Sequence, residues 1–278
     1  MLFAVDVGNS HTVSGLFRKD RLIAHWRLKS DRDRTADELA IRYHALFQMA
    51  GIDAGAITGF IVSSVVPTLE TCWLDYADKY LGSRLTGPPL RVNHTTATGI
   101  TVATDNPAEV GADRIVNAVA AWDILRQALI VIDFGTAITF DCVNEQRRYV
   151  GGTIHPGIGI SLDALAGRTA KLPRVDINAM PKQVIGTSTV SAIRSGMLYG
   201  FGGLVDRMVE ILARELAPEQ DRVPTVATGG MAHLVAPFAA AIDRIEPDLT
   251  LNGLRLIHAM NRNRQHDGHA SAPCHQSS

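Results

Sequence analysis

Cysteine, excess basic charge and long apolar runs are all scarce in this sequence. The three cysteines, Cys72, Cys142 and Cys274, are far apart and form no CxxC pair, which argues against a disulfide framework or a thiolate zinc site. Lysine and arginine total 27 against 28 acidic residues, so there is no basic excess with which to bind nucleic acid. No apolar run approaches a membrane span, and the first residues lack the features of a signal peptide. We therefore expect a cytoplasmic protein with neither a nucleic-acid partner nor a membrane partner.

The composition nevertheless allows a large buried core. Apolar residues make up 46% and charged residues 20% of the 278 positions. This balance argues against a wholly disordered chain, and the length suits two small domains. The stretch 263–278 is polar throughout, and we predict that it is a disordered tail.

One pattern of strand, turn and second strand occurs twice. The first copy surrounds the turn Asp6-Val7-Gly8-Asn9-Ser10, and the second surrounds Asp133-Phe134-Gly135-Thr136-Ala137. The two aspartates are 127 positions apart, so about half the chain separates the copies. An internal repeat at this distance predicts two related α/β domains.

Each turn carries groups suited to a nucleotide phosphate. Gly8 and Gly135 allow a tight backbone whose N–H groups can approach phosphate oxygens closely. Ser10 and Thr136 add hydroxyl groups, and the preceding aspartates could bind a cation that bridges the phosphates. Either copy alone is more simply interpreted as an ordinary β-hairpin turn. Two copies, each after an apolar strand, favour a nucleotide clamp.

Other segments have clear helix or loop signatures. Thr35 and Glu38 stand at capping-box spacing before a helix that we place over 35–50. Asn106 and Pro107 predict the start of a second helix, which would bridge the two halves. The glycines and proline of 151–161 indicate a loop, and 189–216 indicates a long helix interrupted by glycines.

The duplicated turn resembles that of a superfamily comprising actin, the heat-shock chaperone ATPases, and the sugar and acetate kinases. The segment Val226-Ala227-Thr228-Gly229-Gly230 is similar to the late Gly-Gly turn that lies beside the adenosine in that superfamily. The resemblance implies an α/β fold with two actin-like (ribonuclease H-like) domains, at 1–117 and 118–262. It also implies a nucleotide cleft between them, with the two turn aspartates facing each other across it.

Six motifs narrow the resemblance to the type III pantothenate kinases. They are Asp6–Ser10, Asn106–Arg114, Asp133–Ala137, Gly151–Gly157, Arg168–Pro173 and Leu249–Leu254, and the likeness covers roughly residues 1–262 in order. This family resemblance implies ATP-dependent phosphorylation of pantothenate to 4′-phosphopantothenate, the first step of coenzyme A biosynthesis. It also implies a homodimer with acceptor contacts across the interface.

The resemblance assigns roles to matching positions. It implies that ATP and Mg²⁺ are held by Asp6, Val7, Gly8, Asn9, Ser10, His11, Thr12, Val13 and Thr136. It implies that pantothenate contacts Thr104, Gly111, Ala112, Asp113, Arg114 and Thr189, with Asp113 as the catalytic base, and that Asp133 binds K⁺ or NH₄⁺. Thr104 and Thr187 depart from the family, which often has tyrosine at the first position and lysine or arginine at the second.

Three alternative functions remain open from the sequence. A kinase of the same fold could act on another small alcohol, and a phosphatase could use water in place of the alcohol. A non-catalytic relative could serve as a regulatory protein in transcription. The presence of Asp6, Asp113 and Asp133 argues against this last alternative.

Overall fold

The computed structural model describes the backbone of residues 1–270 and the side chains of residues 1–262. The chain forms two compact units. The first contains residues 1–100, 106–120 and 250–270, and the second contains 101–105 and 121–249. The division falls after Ala120, inside a continuous helix, close to the boundary expected after residue 117. The C-terminal helix belongs to the first unit, an assignment that the predicted domain ranges did not include.

The first unit is built on a mixed sheet. Its strands are β1 (Leu2–Val7), β2 (His11–Arg18), β3 (Arg21–Lys29), β4 (Gly59–Ser64) and β5 (Leu90–Arg91). Their order is β3-β2-β1-β4-β5, with β1 antiparallel to β2 and parallel to β4. The predicted strand-turn-strand pattern is therefore confirmed as the β1–β2 hairpin.

The second unit repeats this arrangement. Its strands are β6 (Thr101–Val102), β7 (Leu129–Phe134), β8 (Ala137–Val143), β9 (Arg148–Pro156), β10 (Thr225–Thr228) and β11 (Arg244–Ile245). The order β11-β10-β7-β8-β9-β6 matches the first sheet strand for strand, with β6 added beyond β9. The prediction of two related α/β domains is confirmed by this shared topology.

Helices cover the sheets. They are α1 (Ala36–Met49), α2 (Pro67–Tyr76), α3 (Ala112–Leu125), α4 (Ile158–Gly167), α5 (Thr189–Leu216), α6 (Ala232–Val235) and α7 (Leu249–Ala270). The α1 start is as predicted, because Thr35 and Glu38 form the reciprocal capping box. No helix within residues 1–270 is both long enough and apolar enough to cross a membrane.

The first core is assembled mainly from aromatic rings. Phe3 packs edge-on or tilted against Tyr43 and Phe47 of α1, with ring centroids 5.3 and 5.5 Å away. Trp73 of α2 closes the cluster at 5.0 Å from the Tyr43 ring. Residues of β2 alternate between the two faces of the sheet. On the face opposite the aromatic cluster, Gly15 lies against Leu251 of α7. The sheet is thus covered on both sides.

Two boundaries differ from the sequence prediction. Asn106 caps only a short 3₁₀ turn, Pro107–Glu109, and the extended backbone of Val110 separates that turn from α3, which begins at Ala112. The segment 151–161 is not a loop, because β9 continues to Pro156 and α4 begins at Ile158. Backbone pairing of β9 with β8 through most of its length outweighs the local preference of its glycines.

Helix α5 is also continuous where the sequence indicated interruptions. A Cβ on Gly202 would lie 2.1 Å from the carbonyl oxygen of Phe238, so this glycine permits close helix packing instead of breaking the helix. At the other end of the chain, α7 includes residues 263–270, and the remainder of the predicted tail, 271–278, lies outside the described residues.

Candidate active site

The predicted site residues lie at the ends of strands and the beginnings of helices. In the first unit, β1 ends with Asp6 and Val7, the turn consists of Gly8, Asn9 and Ser10, and β2 begins with His11, Thr12 and Val13. The segment Gly111 to Arg114 leads into α3. In the second unit, Asp133 lies near the end of β7, Thr136 is in the turn that follows, Thr104 follows β6, and Thr189 begins α5. Asp6 and the 111–114 segment therefore belong to the first unit. Asp133, Thr136, Thr104 and Thr189 belong to the second.

The turn after β1 is compact and exposed at its tip. The amide of Gly8 donates to the carbonyl of His11 at 3.1 Å, and four residues separate the paired positions Val7 and Thr12. A Cβ on Gly8 would lie 3.0 Å from that carbonyl, which makes glycine the fitting residue. Asn9 and Ser10 are exposed to solvent. The turn can therefore receive a ligand without first unfolding.

A serine outside the motif supports this turn. The Ser30 hydroxyl donates to the carbonyl oxygen of Gly8 at 2.7 Å, and its amide donates to the Ser10 carbonyl at 3.0 Å. The buried Thr12 hydroxyl lies 3.0 Å from the same Ser30 hydroxyl. The end of β3 thus fixes the backbone of the turn from one side. The sequence analysis did not identify Ser30, because this contact joins positions 22 residues apart.

The Asp6 carboxylate is oriented by a hydroxyl from the neighbouring strand. The fully buried Ser63 of β4 donates to Asp6 Oδ1 at 2.7 Å. Asp6 and Ser63 are directly paired across the parallel β1–β4 ladder. The prediction missed Ser63, although its place at the carboxyl end of an apolar strand was a usable signal, since such ends meet at one sheet edge.

Gly111 brings the Asp113 carboxylate against the backbone before α3. A Cβ on Gly111 would lie only 2.6 Å from Asp113 Oδ1 and 3.5 Å from Val65. Val65 follows β4, and its amide donates to the Val7 carbonyl at 3.1 Å. The first turn of α3 therefore meets the same sheet edge as the Asp6 turn. A carboxylate in the first turn of a helix is also favoured by the helix dipole.

The charge around the first turn is predominantly positive on the β2–β3 side. The His11 ring lies 3.2 Å from an Arg27 nitrogen. Partial burial, followed by the charges of Arg27 and Lys29, lowers the pKa of His11 below its usual value. His11 is therefore neutral at pH 7 and leaves the two neighbouring cations to attract an anionic ligand.

The second turn is held by glycine backbone. Asp133 is paired with Thr228 of β10, and Gly229 then turns with a φ of 90°. A Cβ on Gly229 would lie 2.5 Å from Asp133 Oδ1 and 2.7 Å from the Phe134 backbone. Only glycine allows this close approach at a left-handed φ. The predicted late Gly-Gly turn is thus brought directly against the Asp133 carboxylate.

A third segment reaches the same turn from the start of α4. The amide of Gly157 donates to the Thr136 carbonyl at 3.1 Å, and a Cβ there would lie 2.3 Å from that oxygen. The Gly135 amide itself donates to the Ala137 carbonyl at 3.0 Å. Gly157 belongs to a motif quoted for the family resemblance, but it was not predicted as a site residue. Its contact with Thr136 shows why a glycine ends that motif.

Two other positions that were predicted to contact pantothenate, Thr104 and Thr189, lie in the second unit. Thr189 is exposed at the first position of α5, whose start is capped by a reciprocal Ser188–Ser191 pair. Thr104 lies near Gly151, and its buried hydroxyl oxygen has no hydrogen-bond partner among the described residues. Both belong to the second unit, so neither is grouped with Asp113 in the first.

The described side chains contain no ready-made metal cage. Among residues 1–262, no three His, Cys, Asp or Glu side chains gather closely enough to hold a metal ion. The carboxylates of Asp6 and Asp133 nevertheless suit Mg²⁺ or K⁺, which are hard cations that prefer oxygen ligands. In phosphoryl-transfer sites, Mg²⁺ is commonly bound by one or two carboxylates together with the substrate phosphates.

Solved structures share the overall architecture. An activator of 2-hydroxyisocaproyl-CoA dehydratase from Clostridium difficile, with bound ADPNP, aligns with a TM-score of 0.52 at 10% identity, covering 99% of each chain. A protein from Campylobacter jejuni described as a Baf family transcriptional activator aligns at 0.54 and 17% identity, covering 94% of this chain and 99% of that one. At these identities the likeness concerns the fold alone. Together with the duplicated sheet, it shows two α/β domains of an actin-like fold.

Sequence comparisons then identify the family. Residues 2–211 match the family described as type III pantothenate kinase. A type III pantothenate kinase from Desulfotalea psychrophila is 53% identical over 264 residues, covering 94% of this chain and 99% of the relative. Another from Streptomyces coelicolor is 44% identical over 268 residues, covering 95% and 100%. The chain belongs to the type III pantothenate kinase family.

Proposed function

We propose that this protein transfers the γ-phosphoryl group of ATP to pantothenate, forming 4′-phosphopantothenate and ADP at the first step of coenzyme A biosynthesis. The observation that carries the proposal is the position of Asp113. Its carboxylate lies at the start of α3, at the sheet edge that also carries the Asp6 turn. In this proposal the proton acceptor and the phosphate-binding turn share one edge of the first unit.

The turns supply the contacts for ATP. In this proposal the backbone and hydroxyl groups of residues 6–13, together with Thr136, bind the phosphates, and Asp6 is the carboxylate nearest to the bound magnesium ion. Support comes from the exposed tip of the first turn and from the Ser63 hydroxyl that orients Asp6. Mg²⁺, when bound, neutralises phosphate charge that grows during transfer.

Asp113 and Arg114 act on the acceptor. The Asp113 carboxylate accepts the proton of the pantothenate primary alcohol as the alcohol oxygen bonds to the γ-phosphorus and the bond to ADP breaks. Arg114 offers a planar guanidinium for the pantothenate carboxylate. Gly111, Ala112, Thr104 and Thr189 complete the proposed acceptor set. The Gly111 backbone is already in close contact with the Asp113 carboxylate.

Asp133 is the proposed ligand of K⁺ or NH₄⁺. Support comes from its half-buried carboxylate, which packs against the Gly229 backbone. Hard cations prefer oxygen ligands of the kind that this carboxylate offers. We also propose a cytoplasmic homodimer. Support for the dimer comes from large apolar side chains exposed on the second unit, among them Ile154, Ile185 and Tyr199.

An ADP-release assay with an Asp113→Asn variant tests the proposal. We expect ADP release to require pantothenate and to fall by roughly 10²–10⁴-fold in the variant, since asparagine keeps the shape but cannot accept the proton. ATP affinity should remain near that of the wild type. A panel of other small alcohols, and an assay without acceptor, would expose a different kinase or a phosphatase.

Asp123→Asn provides the matched control. Asp123 lies on the same helix, where its carboxylate is exposed and paired with Arg126. This variant should keep wild-type turnover. A near-normal turnover number for Asp113→Asn would remove that residue from the mechanism, whereas lost ATP affinity would make it a binding or folding residue.

A further inference from the structure

A pocket lies at the end of the first sheet that the proposed reaction does not use. Its walls come from the first residues of β1 and β4, from the β2–β3 turn and from α7, and its volume is about 410 Å³. This volume falls within the range of small-molecule sites, roughly 300–1,000 Å³. The Asp6 turn follows the opposite end of β1, which spans six residues, or about 20 Å. The pocket is therefore separate from the phosphate turn.

Positive charge predominates on the lining of this pocket. Lys19, Arg255 and Arg262 contribute cations, while Asp20 is the one carboxylate among its described lining residues. Asp20 accepts a hydrogen bond from Arg255 at 2.6 Å, but its side chain is 88% exposed. Water screens so exposed a charge strongly. The pocket consequently keeps a net positive potential.

The guanidinium of Arg255 has an unused donor. Its side chain is only 19% exposed, and Nε is buried with no hydrogen-bond partner among the described residues. A buried donor without an acceptor is unfavourable, because it has lost its water and gained nothing in return. Arg255 therefore lines the pocket with hydrogen-bonding capacity that its pairing with Asp20 does not use.

The neighbouring histidine adds a neutral donor and a rigid wall. A Cβ on Gly59 would lie 2.9 Å from two ring atoms of His258, so the ring is packed closely against β4. Burial and the nearby Arg262 charge lower the pKa of His258 to about 4. At pH 7 the ring is therefore neutral and can donate through one nitrogen. Leu2 and Phe17 add apolar walls.

We propose that this pocket binds a phosphate-bearing anion, held by Arg255, Arg262 and Lys19. Paired N–H groups of a guanidinium match phosphate oxygens, and the lysine adds a point charge. The apolar walls suit an ester better than free phosphate. The inference concerns the first unit alone and does not depend on the proposed reaction.

Isothermal titration calorimetry of the full chain tests this site with inorganic phosphate and with phenyl phosphate. A non-hydrolysable ATP analogue at saturation keeps the catalytic phosphate site occupied. We expect one equivalent of anion to bind, with phenyl phosphate at least as tight as inorganic phosphate. Arg255→Gln and Arg262→Gln should each raise Kd at least tenfold.

Arg42→Gln is the matched control, because Arg42 is exposed on α1 of the same unit and does not line the pocket. It should bind like the wild type. Arg262 is exposed, so its replacement tests the site even if Arg255→Gln misfolds. Absence of anion binding to the nucleotide-saturated protein, or equal affinity in all three variants, would overturn the proposal. Asp113→Asn should bind the anion normally, which separates this site from catalysis.

Discussion

The turns after β1 and β7 have the same hairpin plan but are held in place by different chemistry. Hydroxyl groups support the first: Ser63 orients Asp6, and Ser30 holds the Gly8 carbonyl. Glycine backbone supports the second, where Gly157 and Gly229 pack directly onto the turn. The first connection contains four residues between paired strand positions and the second contains three. A duplicated fold can thus preserve a hairpin closed by a glycine amide, while the contacts around that hairpin change.

The two units also differ in the side chains that fill their cores and in the apolar side chains that they expose. Aromatic rings fill the first core, whereas β7 and β8 of the second contribute mainly aliphatic side chains such as Ile130, Ile132 and Ile138. Among residues with described side chains, eleven of the large exposed apolar residues lie in the second unit and three in the first. The two sheets therefore share their strand order although different residues fill their cores. Most of the large exposed apolar side chains lie on the second unit.

Replacing each of the two turn aspartates should affect kinase activity differently, and this is the largest difference that we expect between the turns. We expect Asp6→Asn to lower kcat/KM for ATP by roughly 10²-fold in any salt, because it removes a charged ligand from the phosphate turn. Asp133→Asn should instead abolish activation by potassium and leave the rate that the wild type shows in sodium. Rates measured in KCl and in NaCl check both. Equal wild-type rates in the two salts would contradict the assignment of Asp133.

Stability should distinguish hydroxyl support from glycine support. Gly229→Ala places a methyl group 2.5 Å from the Asp133 carboxylate at a φ of 90° and should cost about 3 kcal/mol in the free energy of unfolding. Ser63→Ala removes one hydrogen bond to a carboxylate and should cost about 1.5 kcal/mol. Urea denaturation measures both values.

Gly203→Ala is the control for the glycine substitution. A Cβ at Gly203 meets no atom within 4 Å, so alanine should be neutral or should stabilise α5 by up to about 1 kcal/mol. If Gly229→Ala proved as mild as this control, the close packing of the second turn would not be a stabilising constraint.

Acid should destabilise the first unit through His258. Its pKa is about 4 in the folded protein and 6.5 in the reference state, so the unfolded chain binds more protons between these values. Stability present above pH 6.5 is therefore lost as the pH falls toward 4, by about 2 kcal/mol after allowance for solvent screening. His258→Gln should reduce the loss of unfolding free energy between pH 6.5 and 4. His233→Gln, at an exposed position in the second unit, should leave that loss unchanged. Unfolding measured from pH 7 to 4 checks the difference.

The sequence predicted the features that depend on local pattern. The two hairpins, the Thr35 cap and the repeat all follow from apolar runs and turn residues. The sequence prediction was wrong where hydrogen bonds between strands determine the secondary structure. The glycines of β9 indicate a loop, but in the structure this segment is a strand because it is paired with β8. Helix α3 likewise begins six residues after Asn106, because Val110 is extended.

Site contacts show the same limit. Asp6, Gly8 and Asp133 could be proposed from their motifs, but Ser63 contacts Asp6 across 57 positions of sequence. No local pattern encodes a distance of that kind. The packing of Gly229 against Asp133 similarly depends on β10 lying beside β7, which only the sheet order establishes.

The place of α7 in the first unit has a consequence for biosynthesis. Leu251 packs against Gly15, and Arg255 pairs with Asp20, so the first sheet makes contacts with residues about 235 positions later in the chain. The second unit, apart from 101–105, is one continuous stretch between them. During translation the second unit can therefore be complete while the first still lacks its last helix. Although its sheet is synthesised earlier, the first unit would be the last to finish folding.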